Sequence, residues 1–130
     1  MSTAICYEVT YPEQAREAVR QGSELLTTIT NDAWYGQSSA PYQHFEMAAM
    51  RAIEQGRYLV RAANTGFTGI VDPYGRVVAK TGLFETTALV GEARFVQQKT
   101  LYARMGDWVA ASAIGLTLLS VGAALIRRKQ

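Results

Sequence analysis

Apolar and polar positions alternate along this chain in blocks that change period. Thr3–Val9 reads as a short buried strand. Pro12 opens a helix as a first-turn proline, and Gly22 closes it after the polar run from Glu13 to Arg20. Leu25–Thr30 is β-rich and apolar enough for a second buried strand. Asn31–Pro41, dense in Gly, Ser and Asn, is a loop. Tyr42–Gln55 then has helical spacing, with Phe45, Ala48, Ala49, Ala52 and Ile53 on one face and Gly56 as its stop. Tyr58–Ala63 makes a third strand. Thr68–Asp72 and Arg76–Lys80 flank Pro73-Tyr74-Gly75 as a hairpin, and Thr87–Ala93 has the composition of a further strand. The alternation predicts a layered α/β sheet finished by an antiparallel hairpin.

The pattern changes at Trp108. From there to Ile126 no side chain is charged, and 19 residues at 1.5 Å each suffice to cross a hydrocarbon core of about 30 Å. Tyr102 and Trp108 fall near one interface, and Arg127, Arg128 and Lys129 crowd the other, which places the C-terminus in the cytoplasm. Ala111 and Gly115, then Ser120 and Ala124, have the spacing that lets helices pack closely in lipid. A buried helix of a soluble core is the alternative. The expected organisation is a domain over 1–100, a linker over 101–107, a transmembrane helix over 108–126 and a basic tail over 127–130.

Charge adds little to the body. Three of the 13 Lys and Arg are Arg127, Arg128 and Lys129, leaving 10 positives against 11 acidic residues over 1–126. The pI of 8.8 therefore reports the tail, and no nucleic-acid-binding face is expected. Met1-Ser2-Thr3-Ala4 lacks the basic and apolar regions of a signal peptide.

The candidate chemistry lies at Cys6, the lone cysteine, which leaves a free thiol and no internal disulfide. A cysteine leaving a strand before a helix stands where α/β folds place reactive groups. Thiolate is the reactive form, so Cys6 needs a cation or base nearby. Glu8 would share its face if the strand stays regular, but a carboxylate alone disfavours the thiolate. A cation must come from elsewhere. A buried structural cysteine is the alternative. His44 is the other partner to weigh, although a surface or capping position is the default for a histidine in the first turn of a helix. One Cys and one His fall short of a zinc site, so no metal is expected.

Ile5-Cys6-Tyr7-Glu8, Thr30-Asn31-Asp32-Ala33-Trp34-Tyr35-Gly36 and Gln43-His44-Phe45 together resemble the nitrilase (carbon–nitrogen hydrolase) superfamily, most of all its apolipoprotein N-acyltransferase branch. Arg61-Ala62-Ala63-Asn64-Thr65-Gly66, Val71-Asp72-Pro73-Tyr74-Gly75-Arg76-Val77 and Tyr102-Ala103-Arg104-Met105-Gly106-Asp107-Trp108 fit the same branch. The resemblance implies the later part of a nitrilase-like α-β-β-α sandwich followed by one C-terminal transmembrane helix. It implies that Cys6 is the nucleophile, taking an acyl chain from a phospholipid as a thioester and passing it to the amine of a diacylglyceryl-cysteine lipoprotein. Tyr7, Glu8 and Trp34 would shape the substrate site. No cofactor is implied. The expected location is the bacterial inner membrane, with the nitrilase-like part periplasmic.

The family's triad is Glu, Lys and Cys, the first two upstream of the cysteine. Only five residues precede Cys6, and Lys80, Lys99 and Lys129 do not match the catalytic lysine. The expectation is an incomplete C-terminal portion, inactive alone, whose upstream half would be a partner. A membrane-associated nitrilase or amidase fragment and a non-catalytic remnant are the other readings.

Overall fold

Five strands form one mixed sheet in chain order: β1 Ser2–Ile5, β2 Leu26–Asn31, β3 Leu59–Asn64, β4 Gly69–Val71 and β5 Val77–Lys80. The computed structural model describes residues 1–127. The first three strands run parallel, with Ile5 opposite Ile29 and Ile29 opposite Ala62. The last three are antiparallel and turn through Pro73-Tyr74-Gly75, where the Asp72 carboxylate accepts the N–H groups of Tyr74 and Arg76. Two crossover helices join the parallel strands: α1, Pro12–Arg20, and α2, Ala40–Gln55. Gly56 ends α2 in the left-handed conformation that only glycine adopts without strain.

The core lies between this helix pair and one sheet face. Val19 of α1 and Phe45, Ala48, Ala49 and Ala52 of α2 pack with Leu26, Leu59, Phe67 and Val71. Three alanines let α2 approach the sheet closely, and Phe45 meets Phe67 edge to face at 5.7 Å. Burial alternates along β2 and β3, so Leu26, Thr28, Leu59 and Arg61 face the core while Ile29 and Ala62 remain exposed on the other face. This is the α/β architecture expected from the sequence.

Three expectations need correction. The first strand does not run from Thr3 to Val9. Cys6 takes a φ of 53°, which ends the extended backbone at Ile5 and turns the chain into a 3-10 turn over Cys6–Thr10. Thr87–Ala93 forms no strand, because no neighbour offers it a ladder and Val90 stands 91% exposed. Ile53 lies off the buried face of α2, 43% exposed, beneath Gly75 of the hairpin.

An irregular strap over residues 81–100 returns along the helices. Val96 N–H donates to Glu24 O at 3.0 Å, and the buried Arg57 side chain donates to the carbonyls of Ser23, Gln55, Gly56, Gln97 and Gln98. Thr100 bonds to Glu54 O and caps the short helix α3, Leu101–Met105, whose Ala103 is fully buried. Arg16 holds Arg104 O at 3.1 Å.

The last helix, α4, spans Trp108–Arg127, and none of its residues is buried. It is long and apolar enough to cross a membrane. Ser112, Thr117 and Ser120 donate to carbonyls one turn back, so their hydroxyls need no water. Of the basic tail, residues 128–130 lie outside the described residues.

Candidate active site

The site is built at the carboxyl ends of the parallel strands, where loops leaving β1, β2 and β3 converge. Cys6 follows β1 directly. A non-glycine residue with positive φ is uncommon and strained, and persists where its surroundings over-determine it. Its thiol is free and half-buried. The turn that follows folds Glu8 back, and its Oε2 accepts the Ile5 N–H at 2.7 Å. Glu8 therefore does not share a strand face with Cys6.

Behind the elbow lies a charged cluster. Asp32, which ends the β2 loop entry, is 1% exposed; His44 of α2 is 3% exposed and Arg61 of β3 is 1% exposed. His44 Nδ1 lies 2.9 Å from Asp32 Oδ1, and Arg61 Nη2 donates to Asp32 Oδ2 at 2.8 Å. Thr30 Oγ1 also donates to Asp32 Oδ1 at 3.0 Å. His44 Nε2 is 3.3 Å from the backbone carbonyl of Cys6. His44 is thus a buried network residue, not the surface or capping residue expected from its place in the helix. Its partners lie on other elements, out of sight of local sequence.

Burial pushes the Arg61 guanidinium down from its usual range, and the adjacent Asp32 carboxylate opposes that. Tyr35 is pushed up, first by burial and then by the charge of Asp32. Tyr35 and Tyr7 flank the His44 ring with centroids at 6.0 and 6.4 Å. A cavity of about 190 Å³ opens here, with Tyr7, Tyr35, Gln43, His44 and Met47 among its lining.

Of the residues singled out from sequence, Cys6, Tyr7 and Glu8 sit together on one turn. Trp34 lies on the neighbouring 3-10 turn, Ala33–Tyr35, and is 81% exposed. The two lysines among the described residues are engaged elsewhere: Lys80 Nζ stands over the rings of Phe67 and Phe45, and Lys99 donates to Arg20 O. Among the described residues no group of three His, Cys, Asp or Glu could hold a metal. Sequence reasoning gave no role to Asp32 or Arg61. The signal available was a charged residue inside the third strand, on the face of Leu59, which demands a buried partner.

The chain is similar to known proteins over nearly its whole length. It is 46% identical over 125 residues to the apolipoprotein N-acyltransferase of Azotobacter vinelandii, covering 96% of this chain and 23% of that protein. It is 45% identical over 130 residues to the one from Shewanella oneidensis, covering all of this chain and 24% of that protein. The chain thus spans about a quarter of the length of the curated relatives it matches. Among solved structures, a mutant amidase from Nesterenkonia sp. AN1, with the acetamide moiety of fluoroacetamide added covalently at its active-site cysteine, superposes with a TM-score of 0.53. That match is 27% identical and covers 63% of this chain and 33% of the amidase. A nitrilase-superfamily member from Saccharomyces cerevisiae shares the fold at 22% identity and a TM-score of 0.55, over 63% of this chain and 33% of its own. The carbon-nitrogen hydrolase family model matches residues 1–101, and the chain belongs to that family.

Proposed function

We propose that this chain is the cysteine-bearing portion of an apolipoprotein N-acyltransferase. The observation that carries the reading is the strained Cys6 elbow at the end of a parallel strand, in a chain about 45% identical to such enzymes. The Cys6 thiolate attacks the ester carbonyl of a phospholipid. A C–S bond forms, the ester C–O bond breaks, and the lysophospholipid leaves as the alcohol, taking up the proton that a base had removed from the Cys6 thiol. The α-amine of a diacylglyceryl-cysteine lipoprotein then attacks the thioester. A C–N bond forms, the C–S bond breaks, and the amine's proton goes back to the thiolate by way of a base.

Tyr7, Glu8 and Trp34 border the substrate path, and the exposed Trp34 suits contact with an acyl chain or the lipid interface. Lys80 and Lys99 are engaged away from Cys6, which supports a base and a cation supplied by an upstream part of the enzyme outside these 130 residues. In this reading residues 1–100 belong to the hydrolase-like domain, 101–107 join it to the membrane, and 108–126 cross it. The domain lies on the periplasmic side of the inner membrane and residues 127–130 in the cytoplasm.

The test is acylation of a lipoprotein acceptor by this chain co-expressed with an upstream half that carries a Glu and a Lys. Activity that appears only in combination and vanishes in Cys6→Ala is expected. Single-turnover thioester formation by this chain alone would overturn the need for a partner. Retention in the membrane pellet after high-pH carbonate extraction is expected, and release would favour a soluble amidase-type hydrolase.

A further inference from the structure

We propose that Asp32, His44 and Arg61 form a buried clamp that holds the Cys6 elbow in its strained conformation, with His44 acting on the nucleophile's backbone carbonyl and not on its thiol. The reading rests on Cys6 being the nucleophile, and it makes the three residues positioning residues, not catalytic ones.

A left-handed cysteine relaxes unless both of its flanks are tied. On one side Glu8 Oε2 accepts the Ile5 N–H at 2.7 Å. On the other, His44 Nε2 lies 3.3 Å from Cys6 O. A carbonyl can only accept, so this contact is a hydrogen bond when the proton sits on Nε2, and Nδ1 then accepts from Arg61 Nη2. That bond occupies the nitrogen a cysteine–histidine pair would need for the thiol, so His44 is not placed as a general base.

The ring has little freedom to turn away. Its Nδ1 faces Asp32 Oδ1 at 2.9 Å and Arg61 Nη2 at 3.1 Å, and Tyr7 and Tyr35 flank it. Asp32 is itself fixed by Arg61 Nη2 and Thr30 Oγ1. Gly66 backs onto that carboxylate so closely that a Cβ there would collide with it. Arg61 is tied in turn by Nε to Phe67 O at 3.2 Å. The clamp therefore links the end of β2, the middle of β3 and the first turns of α2 to the single backbone oxygen of Cys6. Such a network, closed to water, holds a nucleophile in place before substrate arrives.

The chain has one histidine and one cysteine, so residue-selective isotope labelling gives one signal for each without assignment. With the full chain in detergent micelles, 15N-histidine spectra should show a protonated Nε2. An unprotonated Nε2 would overturn the clamp, and this measurement needs no variant. The 13C shifts and amide coupling of labelled Cys6 should report a left-handed φ. His44→Gln, whose amide N–H falls near the place of Nε2, should keep that signature. His44→Asn, which reaches Asp32 but not Cys6, should lose it and slow iodoacetamide alkylation of Cys6 about tenfold.

Retention of the left-handed signal and the alkylation rate in His44→Asn would overturn the proposal. So would loss of the signal in His44→Gln while the remaining amide spectrum stays native. In the complemented enzyme, His44→Asn should lower kcat with KM held, and His44→Gln should restore it. The spectra need no lipid, so absence of Cys6-dependent acylation would count against the proposed function and leave the clamp standing.

Discussion

Two arginines four residues apart, Arg57 just before β3 and Arg61 within it, are both 1% exposed yet are stabilised in opposite ways. Arg57 meets only neutral backbone carbonyls, including Gln55 O and Gly56 O at the negative end of α2. Arg61 pairs with a buried carboxylate and its histidine. Burial pushes both guanidinium groups down, opposed by Glu24 for Arg57 and by Asp32 for Arg61. The strap end of the molecule uses a cation to gather carbonyls and fasten an irregular segment. The elbow end uses one to fix a carboxylate that orients other groups. A buried arginine is thus a splint in one place and part of a site in the other.

The comparison breaks most visibly at Arg61. Arg61→Met leaves Asp32 buried without its cation and should cost about 3–5 kcal/mol, read as lowered thermal stability together with loss of the left-handed Cys6 signal. Arg57→Met strands carbonyls, not a charge, and should cost about 2 kcal/mol. Its damage should be local: hydrogen exchange should accelerate at Val96 and through α3 while the amides of β2 and β3 stay protected. Equal loss of protection at both ends in Arg57→Met would show that strap and elbow form one cooperative unit.

How much of this was legible in the sequence follows the range of each interaction. Pro12, Gly56 and the Pro73-Tyr74-Gly75 turn act through backbone geometry within a few residues, and the elements they bound appear where expected. The strand read over Thr3–Val9 overran by four residues because nothing in the composition announces a cysteine with positive φ. Thr87–Ala93 has strand-forming residues, but a strand also requires a neighbour, and that depends on the whole fold. The candidate nucleophile was visible as a lone cysteine leaving a strand. Its clamp was not, because His44 and Arg61 lie 12 and 29 residues from Asp32 and meet only once the parallel strands are in register.

Smaller changes sharpen the contrast. Gly66→Ala would press a Cβ on the Asp32 carboxylate and should cost about 1–3 kcal/mol by overpacking. It should also displace the Cys6 signal, since the strain enters through the clamp. At the strap, Gly56→Ala adds a Cβ against the Thr100 methyl and a left-handed penalty, yet should leave that signal unchanged.

The mildest probe is alkaline titration, because each region holds one tyrosine pushed up from its ordinary value of 10.0. Tyr35 is raised by burial and then by Asp32; Tyr102 is raised by burial and then by Glu54 and Asp107. A raised phenol favours the protonated form in the folded state. Its contribution to stability is therefore complete below the ordinary value and is lost as pH rises through the folded one. Tyr35→Phe should flatten part of the alkaline fall in thermal stability, and the part due to Tyr102 should remain. Asp32→Asn removes a charge that raises Tyr35 and is not among those that raise Tyr102, so phenolate absorbance should shift to lower pH for Tyr35 and stay put for Tyr102. A common shift of both tyrosines would mean that the two ends of the molecule are electrostatically continuous, and the division between site and splint would fail.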